Sequence, residues 1–398
     1  MADSQPNGPA IRALEFFSGI GGMHYGLEWA GVDAEVLASF DINHIANECY
    51  QHNFGIAPIQ TAIQAFTASY VESFGANCWL MSPPCQPYTK GGKRLDDQDP
   101  RALGLLRLTQ ILHKLKSPPN WIFLENVLLF EESRSRDLLV STLRSLNYEI
   151  LEWLLTPLQF GVPNDRKRFY MTARRLGTDL ADADGAGRPE YTGRVHRDWP
   201  FEVVFPRRPI GSFLSVLSAE EQQTWTIPEV FVKKRQYFSD RVVATPDEYE
   251  TMCFTKAYGH HGVGAGTFLQ TKGFDDPKRL EEPSTAIERL GLRLFTPLEI
   301  ARLHAFPIDS LAPQPPQSLD AAAAAAATGG AKRHSFEFPA TLSTIQRFRL
   351  LGNSMNVLVV GELMRNVLFA DRQHWDFWTN SPNSSAGRSE PDGAHSRE

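Results

Sequence analysis

The run Ile11-Arg12-Ala13-Leu14-Glu15-Phe16-Phe17 reads as a strand, and it stops abruptly at Ser18-Gly19-Ile20-Gly21-Gly22. Glycine accepts left-handed backbone and lets a neighbouring group come close, so this stop reads as a tight turn. Helical pattern follows from Met23 to Ala30 and closes on Gly31, the residue type that most often ends a helix. A strand, a glycine turn and a helix in that order open an α/β sheet, where ligands sit at the carboxyl ends of the strands.

The alternation continues. A second strand runs from about Glu35 to Phe40 and ends at Asp41, with helical pattern from His44 to His52. Apolar strands recur at Cys78–Met81 and Trp121–Leu124, separated by a helix from about Ala102 to Lys116. A helix near Arg136–Leu146 leads to a strand at Glu149–Leu155, and Phe169–Ala173 reads as the last strand. Strands alternating with helices imply an α/β fold with a mostly parallel sheet and helices on both faces. The pattern breaks after Arg175, so 176–292 is expected to form a smaller domain. Helical pattern returns at Pro297–His304 and Asn356–Phe369. Between these, residues 313–333 hold the alanine run Ala321–Ala327 and read as a low-complexity insert. Residues 1–10 and the tail 379–398 are expected to be disordered.

The 398 residues allow one large domain or two smaller ones. Cys49, Cys78, Cys85 and Cys253 contain no CxxC spacing, so neither a zinc site nor a disulfide framework is indicated and no metal is expected. Free thiols suit a reduced compartment. No apolar run is long enough to span a bilayer, and Met1 to Pro9 lacks a signal-peptide pattern. The expectation is a soluble, monomeric protein of the cytoplasm or nucleus. A net charge of −6 argues against a surface coated in positive charge for nonspecific nucleic-acid binding. It leaves room for a local basic groove.

Five elements could carry chemistry. The glycine turn, with Asp41 on the next strand, suits a nucleoside: the backbone approaches the ligand and the carboxylate accepts from ribose hydroxyls. The spacing is not GxGxxG, and no lysine follows to hold a triphosphate. Cys85 stands in Ser82-Pro83-Pro84-Cys85-Gln86-Pro87-Tyr88, directly after Trp79-Leu80-Met81. Two prolines fix the backbone and hold the sulfur at the sheet's carboxyl edge, which suggests a nucleophile. The alternative is a small buried hydrophobe after a proline turn. Glu125, in Leu124-Glu125-Asn126-Val127, puts a carboxylate at the same edge. It is either solvated or held protonated as a donor to a ring nitrogen. Arg166 and Arg168 alternate into a strand and face one way, whether as anchors or as edge-strand charges. Asn353 and Ser354, in Leu351-Gly352-Asn353-Ser354-Met355-Asn356, open the last helix and could cap it.

Phe-Ser-Gly-Ile-Gly-Gly, Pro-Pro-Cys-Gln, Glu-Asn-Val, Arg-x-Arg and Gly-Asn-Ser occur here in that order. Arg293-Leu294-Phe295-Thr296-Pro297-Leu298-Glu299, ahead of Arg302-Leu303, resembles a further motif. Together these resemble the cytosine-5 methyltransferase family, which uses S-adenosylmethionine. The match covers roughly 11–175 and 293–370. The resemblance implies a Rossmann-like catalytic domain in those residues, with 176–292 as target recognition domain. Cys253-Phe254-Thr255 and Pro87-Tyr88-Thr89-Lys90 resemble the branch that methylates tRNA, usually the anticodon loop of aspartate tRNA. Tyr88 and Lys90 stand where that branch has Phe and Arg, and His304-Ala305-Phe306-Pro307 lacks the usual glycine before Phe-Pro.

The resemblance implies Cys85, Glu125, Arg166 and Arg168 as the catalytic set, through a covalent Cys85–C6 adduct. It implies Phe17, Ser18, Gly19, Ile20, Gly21, Gly22, Asp41, Ile42, Ile63, Gln64, Ser82, Asn353 and Ser354 as the shell of S-adenosyl-L-methionine. It implies Gln86, Thr89, Lys90, Lys93, Arg94, Cys253, Phe254, Thr255 and Lys256 as substrate contacts. Cys253 has two readings: packing at the domain junction, which is favoured, or a second functional thiol near the RNA. The alternatives to a tRNA methyltransferase are a DNA cytosine-5 methyltransferase and a weakly active RNA-binding protein with the same fold.

Overall fold

The computed structural model describes residues 10–89, 95–176, 191–201, 205–231, 242–261, 264–276, 283–314 and 333–370. Residues through Pro9, the alanine run and the tail from Thr379 lie outside them, as do Lys90, Lys93 and Arg94.

Seven strands form one sheet: β1 (Ile11–Phe16), β2 (Ala34–Phe40), β3 (Cys78–Met81), β4 (Trp121–Val127), β5 (Tyr148–Leu155), β6 (Arg168–Arg175) and β7 (Val195–His196). The spatial order is β2-β1-β3-β4-β6-β5-β7. Strands β2, β1, β3 and β4 are parallel neighbours. Strand β6 runs antiparallel between β4 and β5. The expectation of a mostly parallel sheet therefore holds apart from β6. The expectation that Phe169–Ala173 is the last strand does not: β7, beyond Arg175, pairs with β5. A two-residue strand is too short to show periodicity, and its neighbours in the sequence are polar.

The parallel strands bring their carboxyl ends to one edge. Phe16 is level with Met81, and Met81 with Leu124. The turn after β1, the Pro-Pro-Cys loop after β3 and the Glu-Asn-Val end of β4 therefore meet there. Both faces of the sheet are packed. Helices Gly22–Ala30 and Val357–Leu363 lie in the apolar cluster that also holds Trp153 and Tyr170, while the other cluster holds Trp79, Leu105 and Leu108. Phe213, Phe268 and Leu290, from the irregular region after β7, share the first cluster with Met23 and Val360.

The helices Ala68–Glu72, Ala219–Thr224, Pro283–Leu290 and Thr344–Gly352 lie outside the segments where the sequence pattern predicts helix, and the last of them bears on the site. Asn353 is its C-terminal cap, and Asn356 is the N-cap of Val357–Leu363, accepting from the Val359 N–H. Gly-Asn-Ser therefore links two helices rather than opening one. Ser343 and Gln346 form a capping box at the start of the first of them, a signal that was present in the sequence.

Ala305 has φ +60° in the turn that ends helix Pro297–Leu303, which accounts for the family's glycine at that position. Left-handed backbone strains an alanine by about 1–2 kcal/mol, against about 0.5–1 kcal/mol of extra chain entropy that glycine loses on folding. Ala305→Gly is expected to stabilise the fold by about 0.5–1 kcal/mol. In urea unfolding this is read as a higher midpoint at unchanged slope.

Glu15 is buried in β1, where its Oε2 accepts from the Tyr50 hydroxyl at 2.9 Å and its Oε1 from the His24 N–H at 3.3 Å. Burial pushes its carboxyl from the ordinary 4.5 up to about 8, although those hydrogen bonds pull the other way. The folded chain thus holds a proton that the unfolded chain releases between these values, and stability falls as pH rises through that window. Glu15→Gln has no such proton to lose. It is expected to gain on the wild type by a few kcal/mol (order of magnitude) between pH 5 and pH 9, measured by urea unfolding at each pH.

Candidate active site

The turn after β1 is held in an uncommon backbone. Phe17 has φ +59°, Gly19 +54° and Gly21 +84°. A side chain at Gly21 would meet Phe54 at 2.3 Å, and one at Gly22 would meet Met355 at 2.8 Å. The Gly19 N–H donates to Asp41 Oδ2 at 2.8 Å, and the Asn43 N–H donates to Asp41 Oδ1 at 2.8 Å. Burial raises the Asp41 carboxyl, and these N–H groups oppose it. The Phe17 ring covers Gly104, where a Cβ would lie 2.9 Å from it.

Cys85 is tied to both neighbouring strand ends. The Ser82 N–H donates to the Phe16 carbonyl, and the Ser82 hydroxyl to the Phe17 carbonyl at 2.9 Å. The Asn126 Nδ2 donates to the Pro83 carbonyl at 3.1 Å. Asn126 is thus the clamp that sets the Pro-Pro turn against β4. Sequence reasoning gave it no role, although it lies inside the Glu-Asn-Val motif. The Cys85 thiol is half-buried. Burial pushes it up, the Glu125 carboxylate pushes the same way, and Arg168 and Arg166 pull it down.

Glu125 is buried near the end of β4, with the Arg168 Nε 3.6 Å from its Oε1. Burial raises its carboxyl, and Arg168 and Arg166 resist. Both arginines come from the approach to β6, an interior strand, so the edge-strand reading of these charges does not apply. Their surroundings differ. Arg166 is 2% exposed. Its Nη1 donates to Cys253 Sγ at 3.1 Å and to the Phe254 carbonyl at 3.1 Å. Its Nη2 donates to the carbonyls of Gly352 and Ser354. Arg166 thus joins three segments distant in sequence. Arg168 spends fewer donors on the protein, giving one to the Lys167 carbonyl and one to Cys253 Sγ at 3.6 Å.

These groups open into one cavity of about 510 Å³. At one end it is lined by Ser18, Gly19, Asp41, Ile42 and Ile63, and at the other by Cys85, Gln86, Glu125, Arg166 and Arg168. Phe17, Ile20, Gly22, Gln64, Ser82, Asn353 and Ser354 also line it. Gly21 does not, and serves the turn. Among the expected substrate residues, Thr89, Cys253, Phe254, Thr255 and Lys256 lie off the cavity. Phe254 is buried against Tyr258 and Phe295, and Lys256 is exposed. Arg101 lines the cavity with its guanidinium paired to Asp99, its Nη2 lying 2.6 Å from Oδ2.

A family model described as C-5 cytosine-specific DNA methylase matches residues 11–368. The chain is 33% identical over 384 residues to a Dictyostelium discoideum protein named DNA (cytosine-5)-methyltransferase, across 89% of this chain and 93% of that one. It is 32% identical over 370 residues to a Spodoptera frugiperda protein named tRNA (cytosine(38)-C(5))-methyltransferase, across 90% of this chain and 99% of that one. It superposes on the crystal structure of the S. pombe Dnmt2 methyltransferase with a TM-score of 0.69, at 30% identity over 90% of this chain and 98% of that one.

Proposed function

This chain belongs to the C-5 cytosine methyltransferase family, and from that premise we propose that it methylates C5 of a cytosine in tRNA, in the anticodon loop of aspartate tRNA, with S-adenosylmethionine as donor. The observation that carries the choice of substrate is the likeness to the Spodoptera tRNA methyltransferase along nearly the whole of both chains. A DNA substrate is the second reading, favoured by the name of the Dictyostelium relative.

The cavity's far end fits a nucleoside methyl donor. The Ser18 hydroxyl is buried with no partner among the described residues, and Asp41 faces the cavity beside it, placed to accept from a ribose diol. Ile42, an apolar side chain left 69% exposed, stands at the same end as Ile63 and offers an apolar slot for adenine. When bound, the cofactor supplies an electrophilic methyl group on a sulfonium.

The protein's own part follows from the near end. An unpaired loop cytosine reaches the pocket at little unstacking cost. Cys85 Sγ adds to C6, which breaks the ring's aromaticity and makes C5 nucleophilic. Glu125, its carboxyl raised by burial, holds a proton at N3 and offsets the charge developing on the ring. A proton on Glu125 also removes one of the two influences that raise Cys85 and leaves the pull of the arginines, so the same protonation favours the thiolate. Arg168 offers donors to the base carbonyl. Once C5 carries the methyl group, a base acting through water takes the C5 proton, the C5–C6 double bond re-forms and Cys85 leaves as the thiolate. Residues 176–292 present the target.

Labelled-methyl transfer to total tRNA and to duplex DNA tests this directly. Incorporation into tRNA is the expected result, and incorporation into DNA alone would overturn the substrate assignment.

A further inference from the structure

We propose that Cys253 is a positioning residue for this reaction: its sulfur holds the Arg166 and Arg168 guanidiniums together and so sets where Arg168 meets Glu125. This rests on the reading of Arg168 and Glu125 as groups that contact the base, and extends it to a residue that does not itself line the cavity.

The sulfur accepts from Arg166 Nη1 at 3.1 Å and from Arg168 Nη2 at 3.6 Å, while the Nε of the same Arg168 lies 3.6 Å from Glu125 Oε1. One guanidinium is thus shared between a carboxylate and a thiol. Two neighbouring guanidiniums repel each other, and Arg166 has no carboxylate partner among the described residues; its remaining bonds go to the Phe254, Gly352 and Ser354 carbonyls. Cys253 is the acceptor common to both cations.

Its backbone is fixed from either side. The Met252 N–H donates to the Thr267 hydroxyl at 2.8 Å, the Thr255 N–H donates to the Ala265 carbonyl, and the Phe254 ring is seated in the core. The sulfur is therefore a fixed point from which the arginines are aimed.

The ionisable groups gathered around the arginine pair are Cys253, Glu125, Cys85, Tyr170 and His304. Burial pushes the Tyr170 hydroxyl up and the His304 imidazole down, so both stay neutral. Burial also pushes the Cys253 thiol up, but Arg166 and Arg168 outweigh it, and its net position lies below that of an ordinary thiol. Of the four cysteines this is the one shifted in that direction. Ionised, it holds both guanidiniums by charge-assisted hydrogen bonds, about twice as strong as neutral ones. A serine there accepts a bond but does not ionise.

The test has two arms. In the full chain carrying Cys85→Ala, alkylation of Cys253 by iodoacetamide is followed against pH by mass spectrometry. The expected midpoint lies below the free-thiol value of about 8.5, and a midpoint at or above it overturns the proposal. In the second arm, the pH profile of kcat is compared between wild type and Cys253→Ser. The variant is expected to lose kcat by about 10-fold with cofactor affinity unchanged, and to lose the lower of two rising limbs; the upper one belongs to Cys85. A variant profile that superimposes on the wild type after scaling overturns the positioning role. The alkylation arm needs no methyl acceptor. A low midpoint, together with a wild-type chain that leaves tRNA unmethylated, would support the pairing while counting against the substrate reading alone.

Discussion

Cys85→Ala is expected to lower methyl transfer by at least about 10⁴-fold, in keeping with the removal of an attacking nucleophile, while S-adenosylmethionine affinity stays within about threefold (a change of well under 1 kcal/mol). The separation follows from the cavity. Cys85 and Glu125 stand at one end, and Ser18, Asp41 and Ile63 at the other. The bonds that shape the loop come from Ser82, Asn126 and the Tyr88 N–H, and none of them uses the sulfur. No other cysteine lines the cavity among the described residues. Single-turnover methylation and calorimetric cofactor titration check the two halves. Residual turnover within tenfold of wild type would remove Cys85 from the chemistry.

Arg166→Ala is the substitution expected to damage the fold most, by about 3–5 kcal/mol. Its guanidinium is wholly buried and serves the Cys253 sulfur and the carbonyls of Phe254, Gly352 and Ser354. Truncation removes the guanidinium donors from three carbonyls, each left wholly unpaired costing about 1–3 kcal/mol. Arg166→Lys rescues little, because a single ammonium cannot reproduce the planar fork of donors. Urea unfolding of the cofactor-free protein measures the loss. A destabilisation below about 1 kcal/mol would mean that Arg166 is not the joint between these segments. Arg168, which makes fewer internal bonds, is expected to lose activity on truncation more than stability.

The two arginines show how far a sequence carries and where it stops. That they act together is legible from their spacing of two at a strand entrance. Both line the cavity, and that one ties its donors to distant backbone while the other does not is hidden from the sequence, because the difference lies in carbonyls supplied by residues about 90 and 190 positions away (such pairings are set by tertiary packing). The turn after β1 is legible for the opposite reason: Ser18-Gly19-Ile20-Gly21-Gly22 is local, and its glycines answer to backbone geometry within the turn itself. Asp41 is legible because a residue at the end of a parallel strand must reach the same edge. Asn126 is not, since the carbonyl to which its amide donates lies 43 residues away. Strand β7 and helix Thr344–Gly352 go unread in different ways. The first is two residues long and has no pattern to show. The second announces itself by a capping box that sits behind the alanine run and is easily passed over.

Cys253-Phe254-Thr255 makes the same point within one motif. Its residues resemble a branch signature, yet Phe254 points into the core and Cys253 toward the arginines, while Lys256, just after it, is exposed on the surface. A motif marks a segment, while the packing decides what each side chain does.

The proposed reaction requires a covalent bond between Cys85 and a tRNA cytosine. An anticodon stem-loop carrying 5-fluorocytosine captures that bond, since fluorine at C5 leaves no proton to remove and the adduct cannot collapse. Incubation with S-adenosylmethionine followed by digestion and mass spectrometry should yield one modified peptide. It should contain Cys85 and carry the fluorinated nucleotide together with the transferred methyl group. A nucleotide attached at Cys253, or no covalent complex under conditions where unsubstituted tRNA is methylated, would contradict the account.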